Sequence, residues 1–184
     1  MSIKVEEIIN QINQLRTDPK AYGEKLQLYS TYFDDSKILR VPGSNIGIRT
    51  TEGRDGYIEA ANFLKNEAEA VKPFEENHGL TLIAQEFLDS VVKVDPSEVG
   101  DISMDEIINK YGEFNGNFSR AMEFGANTSE QVVINLVVSD GDKTRGQRDS
   151  LLNGNLKLIG VATGKHEIYR TCTVIVSCTE FIEI

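Results

Sequence analysis

A chain of 184 residues, 40% hydrophobic and 26% charged, is long enough to bury roughly 70% of its unfolded surface around one core without disulfide or metal staples. Its formal charge of −10 and isoelectric point near 4.7 set up a field that repels phosphate backbones and anionic lipid surfaces, which excludes nucleic acid as a partner. No apolar run reaches the roughly 18 residues that span a bilayer, which excludes insertion as a helix.

The first twenty residues carry charges throughout and are apolar only at helical spacing. They lack the continuous apolar core of a secretory signal, which predicts an intracellular chain or a processed one. Val5, Ile8, Ile9, Ile12 and Leu15 make one stripe at spacings of three and four, and this predicts a helix ending near Arg16. Thr17, Asp18 and Pro19 then supply a cap and a first-turn proline for a second helix, which carries Tyr22, Leu26 and Tyr29 toward Tyr32. Residues 34–56 are rich in Gly, Pro, Ser and Thr and predict a long irregular connection. A helix is expected around Glu59 to Leu64, and another where Leu80, Ile83, Ala84, Phe87, Leu88 and Val91 recur at helical spacing.

Ser103 with Glu106, and Thr128 with Gln131, each have the form of a capping box, so each predicts a helix start. The second helix runs through Val132, Val133, Leu136 and Val137 toward Asp140 and Gly141, and a loop then passes Arg145 and Arg148 to reach Asn153. Residues 112–116 and 141–146 hold paired glycines but no Gly-Lys-Ser or Gly-Lys-Thr, and read as turns. Residues 156–163 and 171–182 are rich in β-branched side chains, with 164–167 as the turn of a terminal antiparallel hairpin. Periodicity alone thus supports a mixed α+β chain with antiparallel pairing.

Cys172 and Cys178 would stand about 20 Å apart on one extended strand, beyond the roughly 7 Å between Cα atoms that a disulfide spans. Two reduced thiols favour an intracellular compartment, and a strand face shared with Val174 and Val176 makes them core groups. His78 precedes a helix and His166 sits at the expected turn; neither has a His or Cys at ligand spacing, so surface or capping roles are expected. Ser139 and Ser150 lack the glycine frame of a nucleophile elbow.

The seventeen residues Val137 to Asn153, V-V-S-D-G-D-K-T-R-G-Q-R-D-S-L-L-N, resemble the signature of the CAP superfamily, which includes cysteine-rich secretory proteins, antigen 5 and plant pathogenesis-related proteins, in its bacterial and protist form. The Asn, Arg, Pro and aromatic pattern over residues 13–26, Thr51-Glu52-Gly53 ahead of residues 59–64, and the helix from Leu80 are similar to that family as well, so the resemblance covers about Glu6 to Phe181. It implies one domain over 1–184, a three-layer α-β-α sandwich with an antiparallel sheet.

The resemblance also implies a cleft with two histidines and two acidic residues, able to bind a divalent metal or to serve as acid and base. A family histidine maps onto Gln147, between Gly146 and Arg148, and the other onto Pro96. The family's Gly-Glu-Asn maps onto Ser119-Arg120-Ala121, ahead of Met122-Glu123-Phe124-Gly125, and the remaining acid onto Ser139 or Asp140. Pro96, Arg120, Asp140 and Gln147 are therefore vestigial positions. An amide, a proline and a guanidinium neither hold a transition metal nor carry protons near neutral pH, so no catalytic residue, metal or cofactor is expected. Arg120 is expected either to pair with Asp140 or Glu123, with Gln147 taking up spare hydrogen bonds, or to point into solvent. The resulting expectation is a non-enzymatic protein-interaction or scaffold subunit of an intracellular, cytoplasmic assembly, with a cytoskeletal or ciliary structure as the example. A lipid, sterol or other small-molecule binder is the alternative, because the family includes such carriers, and a hydrolase ranks last.

Overall fold

The computed structural model of the protein describes residues 3–184; Met1 and Ser2, at the head of the segment read as leaderless, lie outside the described residues. The opening stripe forms α1 (Val5–Thr17), which buries Ile8, Ile9, Ile12 and Leu15. Asp18 accepts Ala21 N at 3.0 Å and Pro19 occupies the first turn of α2 (Pro19–Ser30), because a side-chain acceptor and a missing N–H both suit a helix start. The long connection is less irregular than expected, since Ile38–Leu39 (β1) and Ile48–Arg49 (β2) pair as a short antiparallel ribbon. It leads into α3 (Arg54–Asn66).

A two-residue strand β3 (Glu75–Glu76) precedes α4 (His78–Val91), whose start is capped by Asn77 accepting Leu80 N at 2.9 Å. A 3-10 turn over Pro96–Asp101 follows, then α5 (Met104–Tyr111), whose cap Ser103 accepts Glu106 N at 3.4 Å. The strand β4 (Gly112–Phe124) comes next, and it corrects the expectation of a turn over residues 112–116. Gly, Asn and Gly weaken local strand preference there, but the ladder is imposed from far along the chain by the final strand, with a register shift between Asn115 and Phe118 absorbing the mismatch.

The second capping box opens α6 (Ser129–Val138), with Thr128 accepting Gln131 N at 3.1 Å. Residues 146–152, expected as loop, form α7 (Gly146–Leu152), because Arg148 and Leu151 on its inner side are buried and draw the segment down. The terminal hairpin, β5 (Leu158–His166) and β6 (Arg170–Glu183), runs past its expected turn at 164–167 and closes over 167–169. His166 explains the shift: it is buried, its Nδ1 accepts Ile168 N and Tyr169 N at 3.2 and 3.1 Å, and its Nε2 donates to Val94 O at 3.1 Å. It is thus a turn cap rather than a surface group.

The main sheet has the order β3-β5-β6-β4. The hairpin pair β5 and β6 is antiparallel as expected and β4 adds to β6 antiparallel, but β3 joins β5 in parallel, which corrects an all-antiparallel sheet to a mixed one. Alternation along the strands sends side chains into two cores. Ala121, Ile159, Val161 and Ile175 meet α1, α2, α3 and α6 on one face. Ala162, Cys172, Val174, Val176 and Cys178 meet α4 and α5 on the other, with both thiols free and pushed up by burial.

Two contacts fix the helices to this sheet. Arg16 is 1% exposed and finds no carboxylate among the described residues; its Nε donates to Lys72 O at 2.8 Å, Nη1 to Leu151 O at 2.7 Å and Asn153 O at 3.2 Å, and Nη2 to Leu156 O at 2.9 Å. The guanidinium lies 3.7 Å from the centroid of the Phe74 ring, and burial lowers it to about 10, so it stays charged at neutral pH. On the other face, Gly160 of β5 lets α4 approach so closely that a Cβ would stand 2.1 Å from the Leu80 carbonyl carbon and 2.3 Å from Thr81 N. Gly160→Ala is expected to cost about 3 kcal/mol, since two backbones must part to admit the methyl group. A urea midpoint equal to that of the parent would contradict this close approach. Arg16→Met should cost ~3 kcal/mol or more by orphaning buried carbonyls, and Arg16→Lys should recover only part of it because an ammonium lacks the planar fork.

Candidate functional site

The positions singled out from the sequence meet along the outer strand of the sheet. Pro96 begins the 3-10 turn, where Asp95 accepts Ser97 N at 3.0 Å. Pro96, Arg120 and Gln147 together line a cavity of about 240 Å³, floored by Met122 and Phe124. Asp140 lines a neighbouring cavity of about 360 Å³, and the two share Met122, Phe124 and Gln147 as a common wall.

Three of the four are already engaged. Gln147, carried on the first turn of α7, accepts Met122 N at 3.0 Å through its Oε1. Asp140, just past α6, accepts Thr51 N at 2.6 Å and Glu52 N at 2.8 Å, which pins the long connection to the end of that helix. Beside it Glu52 takes Arg145 Nη1 and Nη2 at 2.7 and 2.9 Å, and these bonds hold its carboxyl down at about 2. Arg148, buried next to Gln147, donates to Val137 O at 2.6 Å and grips Glu59 with both Nη groups at 2.9 and 2.6 Å.

Arg120 corrects an expectation. It pairs with neither Asp140 nor Glu123, and with no carboxylate among the described residues; its guanidinium lies 4.5 Å from the centroid of the Phe87 ring. The reason is the period of β4. Residues 120 and 123 differ by an odd number, so their side chains leave opposite faces of the sheet, Arg120 toward α4 and Glu123 toward α6. An aromatic face then supplies the favourable electrostatics that no acid can reach to give.

Glu123 is the group that sequence reasoning undervalued, since it appeared there only as a partner for Arg120. It is 6% exposed; its Oε1 accepts Asn135 Nδ2 at 2.8 Å and its Oε2 accepts Ala126 N at 3.3 Å. No cation lies against it among the described residues, and burial pushes its carboxyl up to about 7. The signal was present in alternation: once residues 112–124 are a strand, Glu123 falls on the inward face with Ala121. Ser139, the other sequence candidate for the family's second acid, is 3% exposed, adopts a left-handed φ of 52°, and leaves its Oγ without a hydrogen-bond partner among the described residues. It lines the larger cavity together with Glu123. Among the described residues no three His, Cys, Asp or Glu side chains are placed to share a metal ion, and no helix is long and apolar enough to cross a membrane.

No family model matches the chain, and no curated protein matches it. Among solved structures, an outer surface protein from Borrelia burgdorferi is similar, with a TM-score of 0.44 and 14% identity over 73% of this chain and 99% of that chain.

Glu123 leads to a pH prediction. Its carboxyl rises from 4.5 to about 7 on folding, so between those values the folded chain keeps a proton that the unfolded chain has lost. The associated stability is fully present below about 4.5 and is lost as pH rises through 7. Glu123→Gln removes that dependence, so the stability of the variant relative to the parent should be about 2–3 kcal/mol more favourable at pH 8 than at pH 5. Urea titrations at the two pH values measure it, and parallel profiles would show that Glu123 is not held protonated.

Proposed function

We propose that the chain is a CAP-type protein, a three-layer α-β-α sandwich that serves as a non-enzymatic interaction or scaffold subunit of an intracellular assembly, with a cytoskeletal or ciliary structure as the setting. The observation that carries this is the use made of Gln147. At the position where the family places an imidazole, a carboxamide spends its oxygen on the N–H of Met122 in the outer strand, which is a structural task. Further support comes from convergence, because Pro96, Arg120 and Gln147 were chosen by motif spacing alone and line one cavity. Helices on both faces of the sheet agree with the layered architecture. Phe114 of β4 and Ile182 of β6 stay exposed on opposite faces of the paired strands, so each offers a protein partner a separate apolar contact.

A second reading has its own observation. A cavity of about 650 Å³ opens between α1, α2, the long connection and the start of α6, with Val41, Ile46 and Ile48 on its apolar side and Tyr29 and Gln11 on its polar side. Its size and mixed wall suit a lipid, sterol or comparable amphiphile. Solvent extraction of the purified protein followed by mass spectrometry tests that reading.

For the leading reading, the tagged chain is cross-linked in its own cells and isolated. A stoichiometric complex is expected, and Phe114→Ser with Ile182→Ser should weaken it; recovery only as a free chain of 20.5 kDa would overturn the scaffold role. Equilibrium dialysis against zinc is expected to give no tight site in the parent or in Gln147→His, since Arg120 and Pro96 stand where further ligands are needed. One tightly held zinc per chain would reopen the enzyme question.

A further inference from the structure

The larger of the two adjoining cavities has features that the family reading leaves unused. Its volume of about 360 Å³ lies at the small end of the range occupied by ligand clefts, which suits a small molecule rather than a peptide. Glu123 is buried within its wall and receives one bond from Asn135 and one from Ala126. A carboxylate accepts about four hydrogen bonds, so acceptor capacity remains. A buried carboxylate with no cation beside it is costly, and a ligand cation offsets that cost directly. Independently, the Ser139 hydroxyl in the same wall is buried with no partner among the described residues, and buried polar groups left without one are uncommon in folded chains.

We infer that this cavity binds a small organic cation with N–H donors, a primary ammonium or a guanidinium, held by the Glu123 carboxyl and the Ser139 hydroxyl. The surrounding charge agrees. Asp140 and Asp142 stand on the wall against one exposed cation, Arg49 of β2, so an anionic ligand would meet a net negative field. Tyr57 of α3 also faces the cavity, Cys172 of β6 lies beyond the sheet from Glu123, and Arg120 leaves the opposite face. None of these supplies a positive charge to Glu123. A bare metal ion is a poorer fit, because no third protein ligand converges with the acids among the described residues. The cation selects the ionised carboxyl, so affinity should rise with pH through the neutral range and binding at pH 6 should release a proton. This site uses neither Pro96 nor Arg120 and stands whether or not the chain is of CAP type.

The test is calorimetric titration of the full chain with agmatine, which carries both an ammonium and a guanidinium, at pH 6 and pH 8. Binding is expected at pH 8 and about tenfold weaker at pH 6. Glu123→Gln should weaken binding at pH 8 by about tenfold or more, Ser139→Ala by a smaller factor, and Arg49→Gln should strengthen it. Tetramethylammonium, a cation without N–H donors, should not compete. The circular dichroism spectrum of each variant establishes that it is folded. The inference is overturned if agmatine fails to bind at millimolar concentration, if Glu123→Gln binds it as well as the parent does, or if tetramethylammonium competes equally. Preference for acetate over agmatine at pH 6 would equally overturn it, by showing that the protonated carboxyl recruits acids.

Discussion

A charged guanidinium sealed inside the helical layer is the constraint on which the rest of the architecture depends. Arg16 closes α1 against four carbonyls from three separate stretches, residue 72, residues 151–153 and residue 156. Burying that charge without a counter-ion is unfavourable unless every donor is directed and the ring of Phe74 covers one face. The end of α7 and the approach to β5 are thereby fixed relative to the first helix, although 135 residues separate Arg16 from Leu151. With α7 placed, its opposite end brings Gln147 to the outer strand, so the geometry of the candidate site follows from an interaction outside it.

The second organising fact is that β4 is thin. A strand exposes consecutive side chains to opposite surfaces, and here the two surfaces belong to two cores of different character. Arg120 and Glu123 are three residues apart yet belong to separate environments, one stacked on Phe87 and one beneath α6. Charge complementarity along the sequence therefore says nothing about pairing in space. Among the described residues no cation reaches Glu123, and its properties come from burial first.

Much of the helical layer was legible in the residues because its determinants are local. The stripe from Val5 to Leu15, the Asp18-Pro19 cap and the Ser103 and Thr128 capping boxes each act within a few positions, and each starts or forms a helix. β4 was not legible, since its glycines and asparagines argue for a turn and its pairing partner lies about sixty residues onward in β6. α7 was obscured for the same kind of reason, its stability arising from Arg148 buried against Val137 and Glu59. Motif spacing placed Pro96, Arg120 and Gln147 near one another, whereas the left-handed conformation of Ser139 and its orphaned hydroxyl have no sequence signature.

The sheet's two borders differ in how they resist association. On one side the sheet ends in only two residues, Glu75 and Glu76, whose negative charges and brevity offer no template for a foreign strand. On the other side β4 is thirteen residues long, a length that invites edge-to-edge growth, and the carboxamide of Gln147 occupies the outward N–H of Met122 beyond the register shift. The side chain that lines the smaller cleft therefore also leaves one rung of that border unavailable to a second copy of the chain.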